Sequence, residues 1–541
     1  MKWRILPLVI FWLVILVIVA LPDLRRVSYT PGNSFYPLIH KEHEDYYSYL
    51  SYIKQGRSRN TLVDQYTTRQ LSPSLLHNYY LILGKIGKIT DLSDIFMYRI
   101  GLYAPLIFYV FMSFRLVTLY LPPKYHWLAL SMIFFASPYP SEKFSLLGRS
   151  FSLGAEWWTG LDIYSRLMMK PHHFISTALM MAAVYAFLKF LRLRKLHDLV
   201  FTGILMDLAM VFFAPPALIL LSSLSFLLFV YLLSLLYGII KKNPLKKPKL
   251  REVAAVILIL ICSLFIIKFV QNEAAKKNLV NWESARLNAP LESLPLLTYR
   301  FFLPLGILPL FFIPAFFYIR RKKQLIFAFP MLIIFISYLL FIFSAKGIVP
   351  IPMIRMIYYA PYVFGGLTAA FGAVYLIERT SKTCKRAVWI CLSLLFFLNA
   401  LWGLKSYWWP EVVKKEIFLN TYIPVPYLEA MDFLNFGTDR YSNVMSTFYT
   451  GMFIPAFTYN KVYIGHEAIE EFPVIWWTAG HFMAGKFSAG DAAKFLTENR
   501  IDYVFWDQGD LPQAYSGLMD QVYKNEYVTI YKIVETQDKP G

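Results

Sequence analysis

Apolar runs long enough to cross a bilayer recur along this chain and settle its class before anything else is read. The first covers residues 5–22, and others follow at roughly 96–120, 126–137, 173–191, 199–214, 216–240, 253–270, 299–319, 325–344, 355–377 and 387–404. Lipid offers no partner to a free backbone N–H or C=O, so a run of this kind crosses as a helix. The chain is therefore expected to be a polytopic α-helical membrane protein with about eleven transmembrane helices. Composition agrees, with 57% of the 541 residues hydrophobic and 18% aromatic. The weakest boundaries are the short run 126–137 and the tight join at Ala214-Pro215-Pro216. The first run lacks a small-residue cleavage site after Leu21-Pro22-Asp23 and reads as a retained span.

A net charge of +20 would ordinarily raise the question of nucleic acid. Here the Lys and Arg residues concentrate in short connectors: Arg192 to Lys195, Lys241 to Arg251, Arg320 to Lys323 and Arg379 to Arg386. Basic connectors set orientation, so these are the inner loops, and no nucleic-acid partner is expected. The plasma membrane is the expected location, with the N-terminus inside. The long acid-bearing segments 23–95, 138–172, 271–298, 345–354 and everything after about 405 then fall outside. The division expected is a transmembrane domain over 1–404, including the external loop 23–95, and an external domain over 405–541. Cys262, Cys384 and Cys391 offer neither a disulfide framework nor a thiolate zinc site.

The loop 23–95 opens on Glu42-His43-Glu44-Asp45-Tyr46-Tyr47, a cluster of carboxylates beside the membrane. Helical spacing of Tyr46, Leu50 and Ile53, and of Leu75, Leu76, Tyr79, Leu83 and Ile86, predicts two helices lying in the interface. They would hold the acids at headgroup depth. Close carboxylates repel, which raises the pKa of at least one of Glu42, Glu44 and Asp45 unless a cation or a substrate proton sits among them, and makes the cluster a candidate catalytic site. Capping at the positive end of a helix is the competing explanation. No cofactor is firmly implied; a divalent metal held by these acids with His40 and His43 stays open, though no strict ligand spacing is present.

The second external loop carries Glu156, Asp162, Arg166, Lys170, His172 and His173 with Trp157 and Trp158. Cations at headgroup height suit a lipid phosphate, and acids opposite suit sugar hydroxyls, so Arg166, Asp162, Glu156, His172 and His173 are candidate substrate-binding residues. Arg166 and Lys170 also precede a span, where a long basic side chain snorkels without any ligand. Arg355, in Ile351-Pro352-Met353-Ile354-Arg355-Met356, is an external cation between spans, and an anionic lipid head is its simplest partner.

After Trp408-Trp409-Pro410 the composition becomes that of a soluble domain. β-prone runs at Asn443 to Ser446, Val462 to Ile464, Tyr503 to Trp506 and Tyr527 to Val534 alternate with helix-like segments around 425–436, 468–484 and 489–499. A small α/β domain is expected, without a Gly-rich phosphate loop, a Gly-x-Ser-x-Gly or a metal-spaced His pair.

The arrangement of a retained first span, an acidic external loop with two short helices, many further spans and an external C-terminal domain resembles the GT-C class of integral membrane glycosyltransferases. Asp45-Tyr46-Tyr47-Ser48-Tyr49-Leu50-Ser51-Tyr52-Ile53-Lys54-Gln55-Gly56, Ser72-Pro73 and Tyr80 to Gly84 resemble the first-loop signature of an uncharacterised bacterial branch. Lys170-Pro171-His172-His173-Phe174 and Val462-Tyr463-Ile464-Gly465-His466 resemble the same group. The resemblance implies a sugar moved from a polyprenyl-phosphate carrier to a glycan, lipid or protein acceptor outside the membrane. It places the base or acceptor-positioning acid at Asp45, with Glu44 beside it. Trp157-Trp158-Thr159 is not the Trp-Trp-Asp acceptor motif of the oligosaccharyltransferase branch, which argues against protein N-glycosylation. A transporter or flippase of lipid-linked saccharide would need ionisable groups within spans, and Asp207, Lys268 and Arg115 are the main ones. A non-catalytic scaffold of the same fold is the third reading.

Overall fold

A computed structural model describes residues 6–39, 42–138, 143–146, 149–152, 163–168, 170–240, 250–276, 293–349, 351–357, 359–413, 419–469 and 471–534. Packing divides the chain into two compact units. One comprises Met1–Pro22, Gly101–Gln271 and Glu283–Val413; the other comprises Asp23–Ile100, Asn272–Trp282 and Lys414–Gly541. The expected division at residue 404 differs from this one because it followed composition. By packing, the first loop goes with the C-terminal segment.

Among the described residues six helices are long and apolar enough to cross a membrane: Asp94–Tyr120, Pro171–Leu193, Val253–Ala275, Ile326–Ala345, Met353–Arg379 and Lys382–Val413. A seventh results if Leu294–Leu305 and Leu308–Lys322, bent by 93°, form one span. Two of the expected runs give helices of only 10 and 17 residues, His126–Phe135 and Leu196–Phe212. Both fall short of the roughly 20 residues a span takes. The outside of this unit is apolar, with Leu258, Leu264 and Phe265 all exposed. Such a face is stable only against lipid or another protein.

The other unit is built on a five-stranded sheet. Its order from edge to edge is Lys461–Val462, Asn443–Met445, Tyr503–Trp506, Thr529–Ile533 and Met519–Lys524. The first three strands run parallel, with Val444 opposite both Val462 and Tyr503, and the last two are antiparallel to their neighbours. Helices Val425–Gly437, Phe448–Phe457, Phe472–Met483 and Ala489–Glu498 belong to the same unit. The strand Met519–Lys524 and the helix Phe448–Phe457 were not expected. The strand alternates little and is mostly exposed, so it carries almost no periodic signal.

The first loop completes this unit. Helix His43–Ser58 places Glu44 and Asp45 in its first turn and Arg57 in its last, which suits the helix dipole at both ends. Tyr46, Tyr47, Tyr49, Leu50, Tyr52 and Ile53 are all buried, so this helix is core and not the lipid-facing helix expected. Its polar anchor is Gln55, whose amide donates to Val63 O at 3.1 Å and Gln65 Oε1 at 2.8 Å while accepting from Val63 N–H at 2.8 Å. The Gln65 carbonyl accepts from Val462 N–H at 2.8 Å, closing the outer edge of the sheet. The second expected helix forms over Asn78–Thr90. It buries Tyr79, Tyr80 and Leu83 while Ile82, Ile86 and Ile89 stay exposed beside Lys88. That face does suit a membrane surface.

The two helices meet backbone to backbone. A Cβ on Gly84 would stand 2.1 Å from Ile53 O, and the facing residue is Gly56. Gly84→Ala should therefore lower stability by about 1–3 kcal/mol, read as a fall in melting temperature. Gly32→Ala, in open space, should leave the melting temperature unchanged.

Candidate active site

The carboxyl ends of parallel strands are where a sheet of this kind leaves room for a ligand. After strand Lys461–Val462 the chain runs Tyr463-Ile464-Gly465-His466. A Cβ on Gly465 would fall 2.3 Å from Gly451 O, so this segment lies against the helix Phe448–Phe457 as closely as bare backbone allows. That contact sets the position of His466. Its Nε2 lies 3.8 Å from Asp45 Oδ1, and its ring meets Tyr66 edge-on at 5.7 Å.

Asp45 is held from several sides. Tyr49 OH donates to Oδ1 at 3.2 Å, one helical turn along, and the side chain keeps 28% of its exposure. It is reachable by a ligand and yet fixed. Glu44 turns to Glu467, whose N–H donates to Oε2 at 3.0 Å. Burial pushes the Glu44 carboxyl up; the charge of His466 and the Glu467 N–H pull it down, the charges of Glu467 and Asp45 push it up, and the balance stays above the ordinary value. Glu42, at the N-cap, makes no side-chain capping bond.

The state of His466 follows from its bonds. Ala468 N–H donates to Nδ1 at 2.9 Å, so Nδ1 presents a lone pair and the proton of the neutral ring sits on Nε2, toward Asp45. Burial works against a charged ring, but the Asp45 carboxylate 3.8 Å away, with Glu44 and Asp64 beyond, outweighs it and raises the pKa above 6.5. A second proton would have to displace the Ala468 N–H, which couples the titration to the turn 466–468.

An aromatic wall continues from Asp45. Tyr49 stacks on Tyr80 at 4.4 Å and Tyr52 on His77 at 5.8 Å. His77 holds a left-handed backbone, φ 64°, a conformation uncommon outside glycine.

The substrate-binding candidates from the sequence are in the other unit. His172 and His173 occupy the first turn of helix Pro171–Leu193 and are buried. His173 stacks on Phe213 at 3.8 Å, His172 meets the same ring at 5.6 Å, and the Arg355 guanidinium lies 5.8 Å from its centroid. Thus Arg355, His172 and His173 converge on Phe213, a residue the sequence reading did not mention. Arg166 does not join them. It is fully buried, donating to Ile133 O, Phe134 O and Ala136 O at 3.1, 3.3 and 2.7 Å and lying 3.6 Å from the centre of the Tyr362 ring. Its cation satisfies the C-terminal carbonyls of helix His126–Phe135. Glu156 and Asp162 lie outside the described residues, as does His40. His43 bonds to Thr421 Oγ1 at 2.9 Å. Among the described residues no group of three His, Cys, Asp or Glu side chains is arranged to hold a metal ion.

His466 is the functional candidate that sequence reasoning missed. Its motif was recognised, but a lone His acquires meaning only beside Asp45, and the two segments are 423 residues apart at the Glu44–Glu467 contact. Asp45→Asn should lower the pKa of His466, because it removes the charge that holds the proton. The pH midpoint of His466 carbethoxylation by diethyl pyrocarbonate should move down in the variant. Since the folded value is raised, the linked stabilisation is complete below the unfolded His value and is lost as pH rises through the folded one. The variant should therefore melt below wild type at acid pH and converge with it at alkaline pH.

No protein-family model and no curated protein matches the chain. Among solved structures it is similar to the Archaeoglobus fulgidus oligosaccharyltransferase in its apo form, at 12% identity and a TM-score of 0.50, over 91% of this chain and 69% of that one. It is also similar to the arabinofuranosyltransferase AftD from Mycobacteria, at 11% identity and a TM-score of 0.46, over 97% of this chain and 40% of that one. Identities this low speak to architecture alone, and on the first likeness the chain has a fold like that of the GT-C integral membrane glycosyltransferases.

Proposed function

We propose that this protein is a membrane glycosyltransferase that moves a sugar from a polyprenyl-phosphate carrier to an acceptor hydroxyl on the external face of the membrane. The observation that carries the reading is Asp45, a partly exposed carboxylate fixed by Tyr49 and backed by His466 in a chain of GT-C-like fold. Asp45 takes the proton of the acceptor hydroxyl as its oxygen bonds to the anomeric carbon. The bond from that carbon to the carrier phosphate breaks, and its electron pair leaves on the phosphate. His466, with its Nε2 proton toward Asp45, stabilises the carboxylate beforehand.

An anionic carrier head calls for a cation. Arg355, which meets Phe213 together with His172 and His173 within its own unit, is our choice for binding it, and Arg166 is left out because its guanidinium serves backbone carbonyls. The full set of about eleven spans, the external placement of the C-terminal α/β segment and an inside N-terminus belong to the same proposal. A transporter or an inert scaffold would bind carrier without transfer.

Purified protein offered a panel of radiolabelled polyprenyl-phosphate sugars should show carrier-dependent transfer or hydrolysis, and binding without either would sink the reading. Asp45→Asn should cut turnover about a hundredfold or more, with the melting temperature near wild type at alkaline pH, and Glu44→Gln should lose less. Arg355→Met should weaken carrier binding more than Arg355→Lys, which keeps the charge but not the fork. Lower melting temperature with unchanged carrier affinity would remove Arg355 from the site. In a background lacking the native cysteines, Ser516→Cys should react with an impermeant thiol reagent in intact cells and Ser381→Cys should not. The reverse pattern would invert the topology.

A further inference from the structure

The helix Phe472–Met483 contains no Asp, Glu, Lys or Arg. Inward it buries Ala479, Phe482 and Met483. Outward it shows Val474, Trp476 and Trp477 at 64%, 53% and 57% exposure. The next helix, Ala489–Glu498, has an ordinary solvent face with Asp491, Lys494 and Glu498 exposed. Two indoles left in water forgo a large burial gain, and a face of that kind calls for a partner. Trp477 is held in place from behind: His481 stacks on it at 3.7 Å, with its Nδ1 3.1 Å from Trp477 O.

The position of this helix is as informative as its composition. It starts immediately after the loop that carries His466, and Glu471 at its N-cap takes a left-handed backbone, φ 59°. Arg69 pairs with Glu471 at 2.8 Å, and Tyr66, three residues before Arg69, meets the His466 ring. One short strap thus fastens both the start of the helix and the candidate catalytic imidazole. The start of the Trp-bearing helix is tied to the segment that holds His466.

We propose that this face is a stacking platform for an uncharged saccharide, which makes the acceptor a glycan; the assignment of an acceptor rests on the transferase reading above. The C–H face of a pyranose lies flat on an indole, and a neutral partner suits a helix without charge. Glu471, 61% exposed at the end nearest the site, accepts from sugar hydroxyls. Glu467, just before that end, disfavours the competing occupant, an anionic headgroup surface.

The full-length chain in nanodiscs, titrated calorimetrically with a panel of soluble α- and β-linked neutral hexasaccharides, tests this. At least one should bind, Trp477→Ala should weaken it by about tenfold or more, and Trp477→Phe should recover much of the loss. Asp45→Asn should bind that sugar as wild type does while failing to turn over, so the platform and the transferase reading fail separately. Wild-type affinity in Trp477→Ala, or no binding to any sugar, overturns the platform. So does fluorescence quenching by brominated lipid in wild type that disappears in Trp476→Phe/Trp477→Phe, since the indoles would then lie among headgroups.

Discussion

The candidate site depends on the burial of one amphipathic-looking helix, His43–Ser58. Its tyrosines form core, its Gln55 amide ties the loop 62–65 down, and Gly56 lets the helix Asn78–Thr90 approach at backbone distance. A side chain can serve as a base only if its own backbone stays put while the substrate comes and goes. Asp45 projects from the first turn of a helix locked on two sides, so its direction is settled before any ligand arrives.

Electrostatics then divides the labour among neighbours that look alike in the sequence. Glu44 and Asp45 are consecutive, yet one is committed to a backbone N–H and shifted upward by burial, while the other faces an imidazole and stays accessible. The same holds for the arginines. Arg166 lies just before the span Pro171–Leu193 and Arg355 in the first turn of Met353–Arg379, and their environments separate them: one faces three carbonyls and a tyrosine ring, the other a ring shared with two histidines.

What the sequence disclosed was what periodicity and charge can encode. Apolar runs announced a membrane protein, and the acidic opening of the first loop marked Asp45 as a candidate. The segments 443–446 and 503–506 fell on strands and 462–464 met one only at Val462, while strand Met519–Lys524 and helix Phe448–Phe457 escaped because neither has a period to detect. Helix His43–Ser58 was expected at an interface since its Tyr, Leu and Ile pattern is identical whether lipid or protein covers it. His466 and Phe213 were invisible as site residues for another reason. Each gains its meaning from a partner far away in the chain, and a local motif cannot name that partner. The Trp476–Trp477 pair went unremarked because an apolar helix face reads as core until a structure shows it uncovered.

The contact between Glu44 and the Glu467 N–H joins segments 423 residues apart. At a synthesis rate of about 5–20 residues per second, the second segment leaves the ribosome roughly 20–85 seconds after the first. Through that interval the tyrosine-rich helix has no sheet to bury it and the site is only half built. The enzyme-like centre is thus among the last things the nascent chain completes, and a chain truncated before residue 466 would lack it however well its spans had inserted.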